Sequence, residues 1–199
     1  MRPWWLVVTG VGLVIAGFSI YEARKARIGS KEAAVFHAVN GLPDGLYRFL
    51  WPPMQLGNLV VGTVAGLVVA LVSWDLALVV GVLLAMVLKL VIERVVRREM
   101  ADYLVVRQRP GTSQVGAVLR GADVPTSGPS FPSGHVILVA AVGCVVAPIL
   151  AAVWWWLPIL LVALVMFGRV YVGAHNPLDV TAGLGAGLVV GGVVAVFVG

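Results

Sequence analysis

The sequence predicts an all-α, polytopic membrane protein built as a bundle of six transmembrane helices. Hydrophobic residues make up 60% of the 199-residue chain, whereas charged residues make up only 12%, roughly half the share in a typical soluble domain. The mean hydropathy is +1.01. A soluble fold of this composition would expose too much apolar surface, so lipid must be the solvent. The length suits one domain, residues 1–199.

Six apolar runs are long enough, or nearly so, to cross about 30 Å of hydrocarbon as helices. They are, in order, Trp4–Tyr21, Leu56–Val72, Leu76–Ile92, His135–Leu150, Trp154–Phe167 and Leu178–Val198. Arg2 precedes the first run, as in a signal peptide, but no clear small-residue cleavage site follows it. We therefore interpret this run as a retained helix. Ser73-Trp74-Asp75 predicts a tight turn between the second and third runs.

Two polar segments interrupt these runs. Residues 22–53 predict a short amphipathic helix at the membrane interface, followed by a connection rich in proline and glycine. The second polar segment, about residues 93–134, begins as a charged continuation of the third helix and ends as a loop rich in Gly, Pro, Ser and Thr. A long structured loop in so small a protein is typically functional. In the last run, Gly183, Gly187 and Gly191 form a smooth stripe that favours close helix packing.

The charge pattern indicates the partners. The net charge is +5, and the basic residues lie in loops between apolar runs, which is the pattern of membrane topology and of contact with anionic membrane lipids. We therefore expect no nucleic-acid partner. Cys144 is the single cysteine, so no intrachain disulfide is possible. The sequence has no Cys/His cluster with metal-ligand spacing and no Walker-type loop, and it sets no oligomeric state.

Three polar clusters lie beside the ends of predicted helices. They are Arg107-Gln108-Arg109-Pro110, Phe131-Pro132-Ser133-Gly134-His135, and Arg169 followed by His175-Asn176-Pro177-Leu178-Asp179. An isolated arginine at a membrane edge is typical of an anchor, and an isolated histidine at a helix end is typical of a cap. With six spans, however, all three clusters lie on one side of the membrane. That coincidence favours a functional site.

The residue types of these clusters suit phosphate chemistry. Ser133 is placed to cap the fourth helix, so that free amides at its start can face an anion. Asn176 is the expected cap of the sixth helix, with Pro177 in its first turn. Arginine has forked, permanently charged donors that match phosphate oxygens. His175 and Asp179 are four residues apart, and a carboxylate on one imidazole nitrogen leaves the other nucleophilic.

The clusters resemble the motifs of the type 2 phosphatidic acid phosphatase family, which are K-x-x-x-x-x-x-R-P, P-S-G-H and S-R-x-x-x-x-x-H-x-x-x-D. The matching residues are Arg109-Pro110, Pro132-Ser133-Gly134-His135, Arg169, His175 and Asp179. The resemblance covers about residue 56 to the C-terminus. It implies a membrane lipid phosphatase with six helices that needs neither metal nor another cofactor.

The resemblance also implies a role for each residue. His175 would be the nucleophile that forms a phosphohistidine, and Asp179 would orient and polarise it. His135 would protonate the leaving lipid alkoxide, or the phosphate leaving group of a diphosphate, as a general acid. The expected phosphate-binding residues are Arg109, Arg169, Ser133, Gly134 and Arg107.

Two positions depart from the family pattern. The family lysine falls on Asp102, and the serine before the third-motif arginine falls on Gly168. The aspartate matters more, because it puts a negative charge where a phosphate-binding positive charge is expected. Asp102 has an alternative partner in Arg98, four residues earlier on a helix, and would then face away. Arg107 and Lys89 are the candidates to supply the missing charge.

The sequence thus predicts an integral-membrane, metal-independent lipid phosphatase that acts on a polyprenyl (di)phosphate or a phosphatidyl phosphate. The alternative, which Asp102 favours, is a catalytically attenuated lipid-phosphate-binding module or a subunit of a larger complex. A channel or transporter is disfavoured, because no helix interior carries a chain of ionisable residues.

The distribution of basic residues predicts the orientation. With six spans, Arg2 is the only one of the fourteen Lys and Arg residues on the N-terminal side, and the others run from Arg24 to Arg169. The positive-inside rule then predicts an external N-terminus and an active site at the cytoplasmic face of the plasma membrane.

Overall fold

A computed structural model describes residues 4–25, 27–104 and 107–198. The prediction of an all-α chain is confirmed, because these ranges hold helices and a single isolated bridge, between Gln108 and Pro129. The α-helices are α1 (Trp4–Ala23), α2 (Ser30–Asn40), α3 (Tyr47–Gln55), α4 (Leu59–Val72), α5 (Leu76–Glu99), α6 (Ala101–Leu104), α7 (Pro110–Ser113), α8 (Gly134–Val146), α9 (Trp156–Tyr171) and α10 (Pro177–Val198). One 3₁₀ turn precedes α3, and two 3₁₀ turns lie between α8 and α9.

The protein is a multi-pass membrane protein. In the described ranges, four helical segments are long and apolar enough to cross a membrane: α1, α5, Ala152–Tyr171 and α10. The segment Asp44–Gln55 and α4 would make a fifth as one span bent by 60°, whereas Gly134–Ile149 is apolar but shorter. Each of the six predicted apolar runs is helical. The count of six spans stays a prediction.

Side-chain caps define the turn between α4 and α5. The Asn58 side chain accepts hydrogen bonds from the first amides of α4, at 3.0 and 3.3 Å. Asp75 does the same for α5, at 2.9 and 3.3 Å. Trp74, between the two helices, has a φ of 52° and is 96% exposed. The predicted tight turn is therefore confirmed.

Helix α10 lies between α1 and α8, and small residues allow the close approach. A Cβ built on Gly183 would lie 2.7 Å from the carbonyl oxygen of Ser133, and one on Gly187 would lie 2.6 Å from Cβ of Ala140. On the other side, a Cβ on Gly185 would lie 2.5 Å from the backbone nitrogen of Ala16. The predicted packing role of the glycine stripe is confirmed.

Helix α2 is docked onto the polar end of the bundle. The side-chain amide of Asn40 donates to the carbonyl oxygens of Val118, at 2.8 Å, and Tyr171, at 2.9 Å. Arg120 donates to the carbonyl oxygen of Asn40 at 2.8 Å. Phe36 is fully buried beneath the helix. These contacts join the predicted interfacial helix to the loop that carries the first two clusters and to the end of α9.

Candidate active site

The three polar clusters meet at one end of the bundle. The first cluster is joined to the residues just before the second by backbone hydrogen bonds, since Arg109 N donates to Gly128 O at 3.0 Å and Ser130 N donates to Arg107 O at 3.2 Å. The second and third are joined by the amide of Ser133, which donates to the carbonyl oxygen of Asp179 at 3.0 Å. Hydrogen bonds that are nonlocal in sequence therefore assemble the site.

His175 lies in the short connection between α9 and α10. Its side chain is buried, and its Nδ1 lies 3.9 Å from Oδ2 of Asp179. This is close, but it is beyond hydrogen-bond range, and Nδ1 has no hydrogen-bond partner among the described residues. Burial holds the pKa of His175 well below its ordinary value, and the nearby charges of Arg169 and Arg109 lower it further. The imidazole is therefore neutral, which is the form a nucleophile needs.

Asp179 lies in the first turn of α10 and is fully buried. Its Oδ2 accepts a hydrogen bond from the backbone amide of Asn176 at 2.8 Å, as the acidic residue of a capping box does. Asn176 directly precedes Pro177, the first residue of α10, so its predicted position at the helix start is confirmed. Among the described residues, its side-chain Oδ1 accepts from Gln114 at 2.8 Å rather than from an amide of α10.

Arg107 is fully buried between two carboxylates. Its Nε and Nη2 donate to Oδ1 of Asp179 at 3.2 and 2.8 Å. Its Nη2 and Nη1 donate to the two carboxylate oxygens of Glu32 at 2.7 and 3.3 Å. Burial alone would lower the pKa of Arg107, but the two carboxylates outweigh it and hold the pKa above its ordinary value. The structure thus surrounds this predicted phosphate-binding residue with acidic partners.

Arg109 and Arg169 have donors that remain available. Arg109 uses Nη1 on the carbonyl oxygen of Ala174, at 2.9 Å. Burial, together with the charge of Arg97, lowers the pKa of Arg109. Arg169 is buried at the end of α9, and its Nε has no hydrogen-bond partner in the described part of the chain. Both arginines act electrostatically on His135 and His175.

Ser133, Gly134 and His135 begin α8. Ser133 occupies the N-cap position, but the predicted side-chain cap is wrong, because its hydroxyl makes no capping hydrogen bond. Its Oγ is buried and unpartnered among the described atoms. Its amide is already used by Asp179 O. The predicted set of free amides is thus reduced at Ser133.

A charged ladder on α5 borders the start of α8. Glu93 pairs with Lys89 at 2.6 Å and with Arg97 at 2.5 Å. A Cβ built on Gly134 would lie 2.8 Å from Oε2 of Glu93. Lys89 is buried and acts electrostatically on His135. Lys89 and Arg97 therefore add two basic groups near the site. Both lie on α5, which carries none of the three clusters.

Asp102 lies in α6 with an exposed side chain. Among the described residues it forms no ion pair with Arg98, so the predicted pairing is wrong. Substitution of the family lysine thus leaves an aspartate outside the residues that meet at the site.

Sequence reasoning missed Glu32, Gln114 and Glu93. Glu32 is separated from Arg107 by 75 residues, and Gln114 is separated from Asn176 by 62. No local spacing relates such pairs.

Fold and site together define a class of protein. It is a helical membrane protein in which a buried histidine and a buried aspartate lie at the same end of the bundle as two arginines.

Comparison with known proteins agrees with this class. The profile of the PAP2 superfamily matches residues 74–199. An undecaprenyl-diphosphatase of Sulfolobus acidocaldarius is 38% identical over 90 residues, which are 45% of this chain and 42% of that protein. The match therefore spans less than half the length of that relative. The chain belongs to the PAP2 superfamily.

Two solved structures share the fold. A transmembrane PAP2-type phosphatidylglycerolphosphate phosphatase from Bacillus subtilis is similar with a TM-score of 0.69, at 22% identity, over 94% of this chain and 95% of its own. LpxE from Aquifex aeolicus is similar with a TM-score of 0.67, at 22% identity, over 82% of this chain and 94% of its own.

Proposed function

We propose that this protein is an integral-membrane lipid phosphatase that forms a phosphohistidine on His175. The observation that carries the proposal is a buried imidazole beside a buried carboxylate, with Nδ1 of His175 3.9 Å from Oδ2 of Asp179. Burial also lowers the pKa of His175, which favours its neutral form. A carboxylate on the Nδ1 side leaves Nε2 as the nucleophilic nitrogen. Arg109 and Arg169 bring positive charge to the same end of the bundle.

In the first step, the Nε2 lone pair of His175 attacks phosphorus, and the bond from phosphorus to the leaving oxygen breaks. His135 enters this step as the imidazolium and donates its proton to that oxygen, which departs as a lipid alcohol or as a lipid monophosphate. In the second step, His135 takes a proton from water as the water oxygen attacks phosphorus. The N–P bond then breaks, which restores His175 and releases inorganic phosphate. Asp179 stabilises the positive charge that develops on the imidazole.

Arg109 and Arg169 are the proposed ligands of the phosphoryl oxygens. Charge on these oxygens grows in the transition state, and fixed donors in a buried site stabilise it strongly. The unpartnered Nε of Arg169 and Oγ of Ser133 support this assignment. The amide of Gly134, at the N-terminus of α8, is a further candidate donor.

Lys89 and Arg97 are proposed to supply the charge that the family lysine would otherwise contribute. Lys89 acts on His135, and Arg97 acts on Arg109. Glu93 holds both side chains on the same face of α5. The exposed position of Asp102 removes the main argument for the alternative of an attenuated binding module.

An apolar groove supports a lipid substrate. It has a volume of about 210 Å³, lies between α4, α8 and α9, and has Leu56 among its lining residues. The adjacent residue Gly57 packs on His135, since a Cβ built there would lie 2.6 Å from the histidine Cβ. A lipid tail in this groove would present its phosphate-bearing end to the proposed general acid.

The proposed substrates are a polyprenyl (di)phosphate or a phosphatidyl phosphate. The names of the Sulfolobus and Bacillus proteins support these two classes. We also propose that the site faces the cytoplasmic side of the plasma membrane. With six spans, the basic residues from Arg24 to Arg169 lie on the membrane side opposite the N-terminus, and the positive-inside rule places that side in the cytoplasm.

Phosphate release by purified protein in detergent with EDTA tests the proposal. The panel is undecaprenyl diphosphate, undecaprenyl phosphate, phosphatidic acid and phosphatidylglycerolphosphate, and the control is His175→Gln. We expect hydrolysis of at least one lipid by the wild type and none by the variant. Saturable binding of these lipids without phosphate release would instead support the binding-module alternative.

A further inference from the structure

We propose that Glu32, on the interfacial helix α2, is a positioning residue for the phosphoryl-transfer reaction. It holds Asp179 through Arg107, and it holds the start of α10 through the amide of Leu178. The inference rests on the proposed roles of His175 and Asp179. Neither the sequence motifs nor the matched profile, which begins at residue 74, includes Glu32.

Glu32 makes three polar contacts with two other parts of the chain. Its Oε1 accepts hydrogen bonds from Nη2 of Arg107 at 2.7 Å and from the amide of Leu178 at 3.0 Å. Its Oε2 accepts from Nη1 of Arg107 at 3.3 Å. The Glu32 side chain is only 15% exposed, so water competes weakly for these contacts. The carboxylate therefore links α2 to the site directly.

Arg107 transmits this contact to Asp179. Each of its three guanidinium nitrogens donates to a carboxylate, and its side chain is 0% exposed. The guanidinium also lies 5.8 Å from the ring centroid of Phe131. Arg107 would have to give up an acidic partner to bind a phosphate. We therefore assign Arg107 as a structural link between the carboxylates of Glu32 and Asp179, rather than as a phosphate ligand.

Arg107 fixes the orientation of the Asp179 carboxylate toward His175. Arg107 holds Oδ1, while Oδ2 accepts from the Asn176 amide and faces Nδ1 of His175. A carboxylate is planar, so fixing Oδ1 also fixes Oδ2. Loss of Glu32 would leave two donors of a buried guanidinium without a partner. The guanidinium would then shift relative to Asp179 to satisfy these donors.

The contact with Leu178 acts on the same turn. The first amides of a helix have no partner within it, and a negative charge there is favoured by the helix dipole. Glu32 satisfies the amide directly before Asp179. Both contacts of Glu32 thus converge on the position of Asp179.

Helix α2 has other anchors, so the role is testable without unfolding the protein. Phe36 is fully buried, and Asn40 bonds to Val118 and Tyr171. Glu32→Gln keeps the shape and one acceptor oxygen but removes the charge. Glu22→Gln is a matched control, because Glu22 lines the same surface cavity but pairs with Lys25 at 2.5 Å.

The experiment is a rapid-quench measurement of phosphoenzyme formation with the lipid phosphate that the wild type hydrolyses fastest. We expect Glu32→Gln to lower the rate constant by roughly 10–100-fold, the order found for outer-shell residues that orient metal-ligating histidines. The amplitude and KM should stay near wild type, because the folded fraction and the arginines are unchanged. Glu22→Gln should match the wild type in all three quantities.

A reduced amplitude with a normal rate constant would overturn the proposal, because it would show that Glu32 only supports folding. A normal rate constant and amplitude would also overturn it. His175→Gln is measured in parallel. If that variant still turns over, the proposed function fails and this inference fails with it. If it is inactive while Glu32→Gln is normal, only the inference fails. Glu32→Asp, which restores the charge, should recover part of the rate constant.

Discussion

Nδ1 of His175 lies 3.9 Å from Oδ2 of Asp179, with both side chains buried. The aspartate is fixed by Arg107 and by the Asn176 amide, whereas Nδ1 of the histidine has no hydrogen-bond partner in the described ranges. The distance exceeds a hydrogen bond, but catalytic hydrogen bonds often tighten only when substrate binds. The carboxylate is therefore held in place, so a tightening of this contact on substrate binding would fall to the imidazole.

We predict that Asp179→Asn lowers kcat strongly, because the developing imidazolium would lose its buried counter-charge. Loss of the orienting carboxylate in a triad costs up to about 10⁴-fold. The measurement is phosphate release at saturating lipid phosphate. Asp44→Asn is the control, because Asp44 pairs with Arg120 but is 84% exposed, and it should retain normal turnover. Turnover within the wild-type range for Asp179→Asn would contradict the role of this residue.

The low pKa of His175 predicts a pH-dependent stability. Burial and the charges of Arg169 and Arg109 lower the pKa in the folded state, whereas the unfolded value is about 6.5. Below about pH 6.5 the unfolded state therefore binds more protons than the folded state, and the free energy of unfolding decreases as the pH decreases. We expect the wild-type Tm to fall more steeply from about pH 7 to about pH 5 than that of His175→Gln. Parallel Tm curves would contradict the assignment.

The exposed position of Asp102 predicts that this departure from the family pattern is nearly silent. Surface substitutions usually change free energies by about 0.5 kcal/mol or less, or about twofold. We expect kcat/KM of Asp102→Lys and Asp102→Ala to lie within about twofold of wild type at fixed salt. A large gain for the lysine variant alone would instead show that Asp102 faces the phosphate and attenuates the native site.

Thiol labelling tests the proposed orientation. Val115, in the polar loop, is 97% exposed, and neighbouring Gly116 has a φ of 76° that a cysteine would adopt poorly. In a Cys144→Ala background, we expect Val115→Cys to resist an impermeant maleimide in intact cells and to react after permeabilisation. Trp74→Cys, at the opposite end of the bundle, should react in intact cells. The reverse pattern would place the site outside.

The sequence predicted what depends on local pattern. Apolar runs predicted each long helix, and the four-residue spacing of His175 and Asp179 predicted that these side chains would meet near the start of α10. The Glu32–Arg107 pair could not be predicted, because it joins segments 75 residues apart that share no periodicity. The side-chain bonds at the two helix starts could not be predicted either: Oγ of Ser133 has no partner among the described atoms, and Oδ1 of Asn176 accepts from Gln114, 62 residues away.

The central claim is that His175 carries the phosphoryl group, and detection of a phosphoenzyme after an alkaline quench tests it most directly. The purified protein is mixed with a lipid phosphate labelled in its terminal phosphate, and the labelled peptide is identified. The wild type should yield an acid-labile, base-stable label on the peptide that contains His175, and His175→Gln should yield neither label nor phosphate release. A label of equal amount in His175→Gln, or phosphate release by that variant, would contradict the account.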